Sequence, residues 1–199
     1  MARLINVIGC IAMPDTKYTL PIKPEGIYHI YNRAIGFEKL FTCVRDHLKF
    51  IDNVKEFILP QCHIFAYCLL PNHFHFLLQV KENPQQFSKG VADACNSYAR
   101  YFNTKYNRKG GLFMTPFKRN CIEDDAGIVW ITWYIHRNPL HHKLTNEWQK
   151  WPWSSYKAYS ENHKTLLNTQ LVMDCFGGKE QLIQHHQLNQ QGWMHEGME

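Results

Sequence analysis

His73 and His75 stand two apart at the head of an apolar run, Leu69-Leu70-Pro71-Asn72-His73-Phe74-His75-Phe76-Leu77-Leu78. Alternation of imidazole with large apolar side chains over His73 to Leu78 is the period-two pattern of a strand. It sends both histidines to one face, with Phe74 and Phe76 on the other. Two imidazoles on one face are half of a metal site. The plainer reading is a half-buried strand whose histidines hydrogen-bond to neighbours, since histidine is common at intermediate burial. A second element far along the chain adds weight to the first reading. In Trp133-Tyr134-Ile135-His136-Arg137-Asn138-Pro139, Tyr134 and Asn138 lie four apart. A helix with that spacing puts a phenol and an amide on one face, a turn from each other. Glu123, Asp124 and Asp125 suit the start of such a helix, and Pro139 is expected to close it, with Asn138 already leaving helical geometry.

Cleaving a phosphodiester needs a nucleophile, neutralisation of the phosphate charge and a leaving oxygen held in line. Tyr134 is the candidate nucleophile. A phenol with an ordinary pKa of about 10 is a poor one at neutral pH, so a nearby cation or base has to favour the phenolate. Other tyrosines compete for the role, because the chain has ten. Tyr98, Tyr101 and Tyr106 fall with Phe102 on an expected helix over about 87–107, at spacings of three and four that read as packing or base stacking. Tyr156 and Tyr159 have no amide partner at the spacing of Asn138.

Pro71-Asn72-His73-Phe74-His75, Tyr134-x-x-x-Asn138-Pro139, Tyr28-His29-Ile30-Tyr31-Asn32-Arg33 and Trp151-Pro152-Trp153-Ser154-Ser155-Tyr156 occur in this order. Together they resemble the single-tyrosine HUH transposases, most closely the REP-associated tyrosine transposase-like branch. The resemblance covers residues 24–160, with a weaker continuation at Phe176-Gly177-Gly178. It implies that His73, His75 and Asn138 hold a divalent metal, Mg²⁺ or Mn²⁺, and that Tyr134 forms a 5′-phosphotyrosine link to DNA. The enzyme expected is a metal-dependent single-strand DNA endonuclease and strand transferase acting on hairpin or palindromic DNA. Neutral imidazoles suit Mn²⁺ better than Mg²⁺. Two readings from other classes stand beside it: a metallophosphoesterase in which water attacks, and a catalytically silent DNA-binding regulator on the same fold.

Charge is distributed in a way that agrees with a nucleic-acid partner. The formal net charge is +5, yet residues 96–120 hold six basic and no acidic side chains: Arg100, Lys105, Arg108, Lys109, Lys118 and Arg119. Aromatic residues interleave with them, and the two together suit phosphates and unpaired bases. Arg33 and Arg137, beside the two motifs, are further phosphate candidates. The plainer reading is a solvated basic helix with an aromatic inner face. Seven dispersed cysteines without a Cys-x-x-Cys pair suggest neither a disulfide framework nor a zinc finger, which fits a cytoplasmic protein. Leu4 to Met13 is too short and broken for a signal peptide or a membrane span, and no membrane partner is expected. His141-His142 and His185-His186 are adjacent and read as surface or phosphate-contacting groups. Related proteins occur as monomers and as homodimers, and both remain open.

The elements that must position these residues follow from the pattern. Strands are expected at 26–33, 62–70, 73–78 and 117–123, and helices at 41–59, 87–107 and after 123. Pro71-Asn72 suits a tight turn between two strands. The order is βαββαβ with an added helix carrying the tyrosine, an α+β, ferredoxin-like antiparallel sheet with helices on one face. The free face would then receive the DNA. Residues 1–23 read as an N-terminal extension, 24–160 as the catalytic domain and 161–199 as a polar C-terminal extension.

Overall fold

A computed structural model of the chain describes residues 21–161, 165 and 167–188. The expected extension over 1–23, Leu4 to Met13 and the last eleven residues lie wholly or largely outside the described part. Four strands, β1 (Ile27–Arg33), β2 (Cys62–Leu70), β3 (His73–Val80) and β4 (Lys118–Ile122), pair in the order β2-β3-β1-β4. Each pairing is antiparallel. Helix α1 (Val44–Asn53) joins β1 to β2 and α2 (Pro84–Lys105) joins β3 to β4, which is the ferredoxin-like arrangement.

Local chemistry explains where the helices differ from the sequence pattern. Helix α1 starts at Val44 rather than 41 because Asp46 turns back to accept the Thr42 and Cys43 backbone N–H groups at 2.9 and 3.1 Å. It then widens into a π-turn over Val54–Ile58 and ends in a 3-10 turn at Leu59–Gln61, which contains Pro60. Helix α2 starts at Pro84, earlier than expected, because Asn83 caps the Gln86 N–H at 3.0 Å and proline suits the first helical position. Helix α3 (Asp125–His141) is capped by Asp124, which accepts the Gly127 N–H at 2.7 Å.

Both faces of the sheet are covered. Tyr28, Ile30, Ile64, Leu69, Phe74, Phe76 and Leu78 face α1 and α2. The other face, with Ala66, Cys68, Leu70 and Leu77, packs against Ile128, Ile131 and Ile135 of α3. Phe65 joins Ala66 on that second face because the β2–β3 register slips between Ile64 and Ala66. The expected open face is therefore absent, and the histidines lie beneath α3 rather than on a free face. Helices α4 (Tyr156–Ser160), α5 (Gln170–Phe176) and α6 (Lys179–Gln187) add Tyr156, Tyr159, Val172, Phe176 and Leu182 to this second core. The division at residue 160 is thus not a packing boundary, since α5 and α6 share the core of α3. Among the described residues no helix is long and apolar enough to cross a membrane.

A buried polar relay docks α6. His136 Nδ1 lies 2.9 Å from His186 Nε2, and His136 Nε2 lies 2.8 Å from Ser155 Oγ. His186 Nδ1 is held by the Leu182 carbonyl at 2.8 Å. Burial pushes His136 well below the usual histidine range and His186 down to about 4, in each case with help from a neighbouring histidine.

Two tests follow from this packing. A Cβ on Gly90 would stand 2.2 Å from the Phe57 carbonyl oxygen, where α2 crosses the π-turn. Gly90→Ala gains about 1 kcal/mol in helix propensity, but overpacking a backbone contact costs roughly 1–3 kcal/mol. A lower urea midpoint is expected, and an unchanged or raised midpoint would contradict the contact. The second test is pH. His136 and His186 titrate lower in the folded than in the unfolded chain, so acidification below the ordinary pKa of about 6.5 loads protons onto the unfolded state. Each removes about 1.4 kcal/mol per pH unit below that point, down to its folded pKa. Urea unfolding at pH 7.5 and 5.5 should show stability falling on acidification; a flat profile would mean the imidazoles are not buried neutral.

Candidate active site

The turn at Pro71-Asn72 is fixed from outside, and that fixes the start of β3. The Pro71 carbonyl accepts the Leu40 and Phe41 N–H groups at 2.7 and 3.1 Å, and the Asn72 carbonyl accepts the Ala34 N–H at 2.8 Å. From this anchor His73 and His75 project to the face covered by α3, with ring centroids 5.0 Å apart and planes at 86°. His73 Nδ1 donates to Asn72 Oδ1 at 2.7 Å, and His75 Nδ1 lies 2.9 Å from His29 Nε2. Both Nε2 atoms are buried with no hydrogen-bond partner.

Helix α3 carries the complementary groups. The Tyr134 ring meets the His75 ring edge-on at 5.7 Å and lies parallel to Trp130 at 5.5 Å. The Asn138 amide N–H donates to the Tyr134 carbonyl at 3.2 Å, while Asn138 Oδ1 is buried without a partner. Contrary to the expected stop, the helix runs through Pro139 to His141, and the His142 N–H bonds the Asn138 carbonyl at 3.0 Å. Only the last turn lies beyond the proline, so a single missing N–H is tolerated. The extra turn extends the stripe to Tyr134, Asn138 and His142, each four residues on. It brings the His142 ring 4.4 Å from His73 and the His141 ring 5.6 Å from Tyr134. His141 and His142, expected as surface or phosphate-contacting groups, thus stand beside His73 and Tyr134. The spacing of four continues from Asn138 to His142 in the sequence, and only the reading of Pro139 as a terminator hid it.

The donors fit a divalent cation. Two imidazole nitrogens and one amide oxygen are buried with nothing in the protein to satisfy them, a costly condition that a bound cation relieves. Among the described residues no three His, Cys, Asp or Glu side chains form a metal-holding group. Burial, then His142, pushes His73 down to about 3, with Arg33 adding to the shift and Asn138 opposing it. Burial, His29 and His73 hold His75 well below the usual range. Both rings are therefore neutral at physiological pH, the form that binds metals.

The expected DNA-contacting cations separate into distinct environments. Arg33 pairs in register with His73, and Lys118 with Tyr31. Both line a cleft of about 450 Å³ that reaches His73, His75 and His142. Arg100 borders an adjoining cavity of about 600 Å³ that shares Asn32 and Thr115 with the first. Lys109 is exposed, and Arg119 sits over Phe117 at 5.9 Å, one residue out of phase with Lys118 and so on the other face of β4. Three cations are engaged inside the fold. Lys105 pairs with the buried Asp46 at 2.6 Å, and Arg108 pairs with Glu38 at 2.9 Å. Arg137 is corrected outright: it is buried over Trp133 and Trp148 and donates to the His186 and Leu188 carbonyls, so it ties α3 to α6 rather than facing a phosphate. Tyr98 and Phe102 are core residues, and Tyr101 and Tyr106 donate to Asp46 at 3.0 and 2.7 Å.

No family model matches the sequence. A Haemophilus influenzae protein named "Putative REP-associated tyrosine transposase" is 28% identical over 102 residues, covering 46% of this chain and 57% of that protein. The chain thus spans little more than half the length of this curated relative. A solved structure titled "Structure of the REP associates tyrosine transposase bound to a REP hairpin" matches with a TM-score of 0.59 at 17% identity. The match covers 74% of this chain and 86% of the other, a likeness of fold. In sequence the chain is thus similar to a curated REP-associated tyrosine transposase, and in fold to a solved one.

Proposed function

We propose that the chain is a metal-dependent transposase that nicks and rejoins single-stranded DNA through a 5′-phosphotyrosine intermediate at hairpin or palindromic sites. The observation that carries this reading is the contact of the Tyr134 and His75 rings at 5.7 Å within one chain, beside three buried donor atoms without partners. His73, His75 and Asn138 hold the divalent cation, Mg²⁺ or Mn²⁺. When bound, it neutralises phosphate charge and orients the scissile group.

Tyr134 Oη attacks phosphorus, the bond from phosphorus to the 3′ oxygen breaks, and that oxygen takes up a proton as a 3′ hydroxyl. The new phosphotyrosine keeps the energy of the broken bond, so attack by a 3′ hydroxyl reseals DNA and releases Tyr134 without ATP. His141 is placed to receive the phenolic proton. Its Nε2 is buried without a partner, its ring lies 5.6 Å from Tyr134, and burial with Arg137 and His142 nearby lowers its pKa, which keeps it a neutral base. Arg33 and Lys118 line the cleft beside the histidines and suit the phosphates flanking the cut. The hairpin in the related structure supports a hairpin substrate here. All groups named come from one chain, which supports an active site built within a single subunit.

A suicide oligonucleotide tests the reading: protein, Mn²⁺ and single-stranded hairpin substrate are mixed and resolved under denaturing conditions. A covalent protein–DNA band is expected from the native chain and from Tyr98→Phe, and none from Tyr134→Phe. Turnover without any adduct would favour attack by water, and binding that survives Tyr134→Phe with no cutting by the native chain would favour a silent regulator.

A further inference from the structure

The two site histidines differ in what fixes their protons. Asn72 Oδ1, 2.7 Å from His73 Nδ1, is an oxygen that can only accept. The proton of His73 therefore sits on Nδ1, and its Nε2 is a bare lone pair. Opposite His75 Nδ1 stands another imidazole nitrogen, His29 Nε2, at 2.9 Å. Nitrogens that close, with centroids 5.1 Å apart and planes inclined by 14°, put the rings edge to edge in nearly one plane, the geometry of a linear N–H···N bond. His29 and His75 are 0% and 1% exposed, so water does not compete for the bond. Tyr31, directly across the ladder from His75, packs beside both rings at 4.8 and 5.6 Å and restrains their planes.

We infer that His29 is a positioning residue: its Nε2 accepts the Nδ1 proton of His75 and thereby leaves the Nε2 of His75 open to a cation. The inference rests on the metal-site reading above and deepens it. One proton lies between the rings, and it has two homes. If it belongs to His75 Nδ1, His75 Nε2 is a lone pair aimed into the site. If it belongs to His29 Nε2, the remaining proton of His75 occupies its own Nε2 and closes the site, with no change in net charge. A carboxylate or carbonyl partner would forbid the second arrangement; an imidazole permits both, and the bound ion selects the first. Partners of this kind, which hold a ligating imidazole in one tautomer, typically account for 10–100-fold in metal affinity.

Calorimetric titration of the full chain with Mn²⁺ alone tests this, with near-ultraviolet circular dichroism and cooperative melting as controls for the fold. His29→Leu should weaken Mn²⁺ binding by about 10–100-fold. His29→Gln, whose amide oxygen can accept the same proton, should return it to within a few-fold of the native value. If His29→Leu fails to fold, nitrogen-15 spectra of the native chain loaded with Mg²⁺ decide instead, with the His75 proton expected on Nδ1. A folded His29→Leu protein that binds Mn²⁺ as the native chain does, or a loaded His75 protonated on Nε2, overturns the inference. If His75→Ala loses the ion while His29→Leu keeps it, this inference alone falls. If the native chain binds no ion, or His73→Ala and His75→Ala bind it unimpaired, the metal-site reading falls with it.

Discussion

The apolar seam between α3 and the second face of the sheet is the contact on which the rest of the molecule depends. Ile128, Ile131 and Ile135 on α3 lie against Ala66, Cys68, Leu70 and Leu77 on the two strands that flank the histidine turn. Burial of each such side chain contributes roughly 1.5–3 kcal/mol, enough to set the helix at one height and rotation over the sheet. That rotation points the stripe Tyr134, Asn138 and His142 at His73 and His75. Elements separated by some sixty residues in sequence are thereby made to share one small volume, and the polar contacts within it refine a placement already made by packing.

Stability is spent inside that volume. Buried nitrogens and an amide oxygen without a hydrogen-bond partner in the protein each cost about 1–3 kcal/mol unless water or a ligand reaches them from the adjoining cleft. The surrounding shell shows how the strain is contained. Asn138 is turned by its bond to the Tyr134 carbonyl, His73 by Asn72 and His75 by His29, so each has one polar atom fixed and another without a partner in the protein. At the back of α3, by contrast, the His136, His186 and Ser155 relay closes fully and serves the docking of α6. Arg137 does the same work one residue on. Neighbouring positions on one helix thus divide between groups that tie α3 to α6 and groups that face His73 and His75.

Much of this was legible in the residues. Strand β2 runs from Cys62 to Leu70 as its pattern demands, and the period-two alternation of β3 correctly sends Phe74 and Phe76 away from the histidines. What the sequence concealed was mostly tertiary. Lys105 and Arg108 look like free cations until Asp46 and Glu38, about sixty and seventy residues away, fold against them. Coverage of the second face was hidden because α5 and α6 are polar segments whose few apolar residues pair with α3 over long separations. Two omissions were local. His29 alternates with Tyr28 and Ile30 on β1, a signal that would have placed it beside the histidine strand, and His142 continues the spacing of four past a proline that was read as an end.

The central claim is that one chain holds its phenol and its imidazole pair around a shared ion. Paramagnetic broadening by Mn²⁺ of tyrosine ring signals, recorded on dilute protein, tests it most directly. The account predicts that Tyr134 and Tyr31 broaden at the first additions while Tyr98, buried on the opposite face of the sheet, stays sharp, and that the pattern does not change with protein concentration. A bound ion that leaves the Tyr134 signal sharp, or broadens it only as the protein is concentrated, would contradict it.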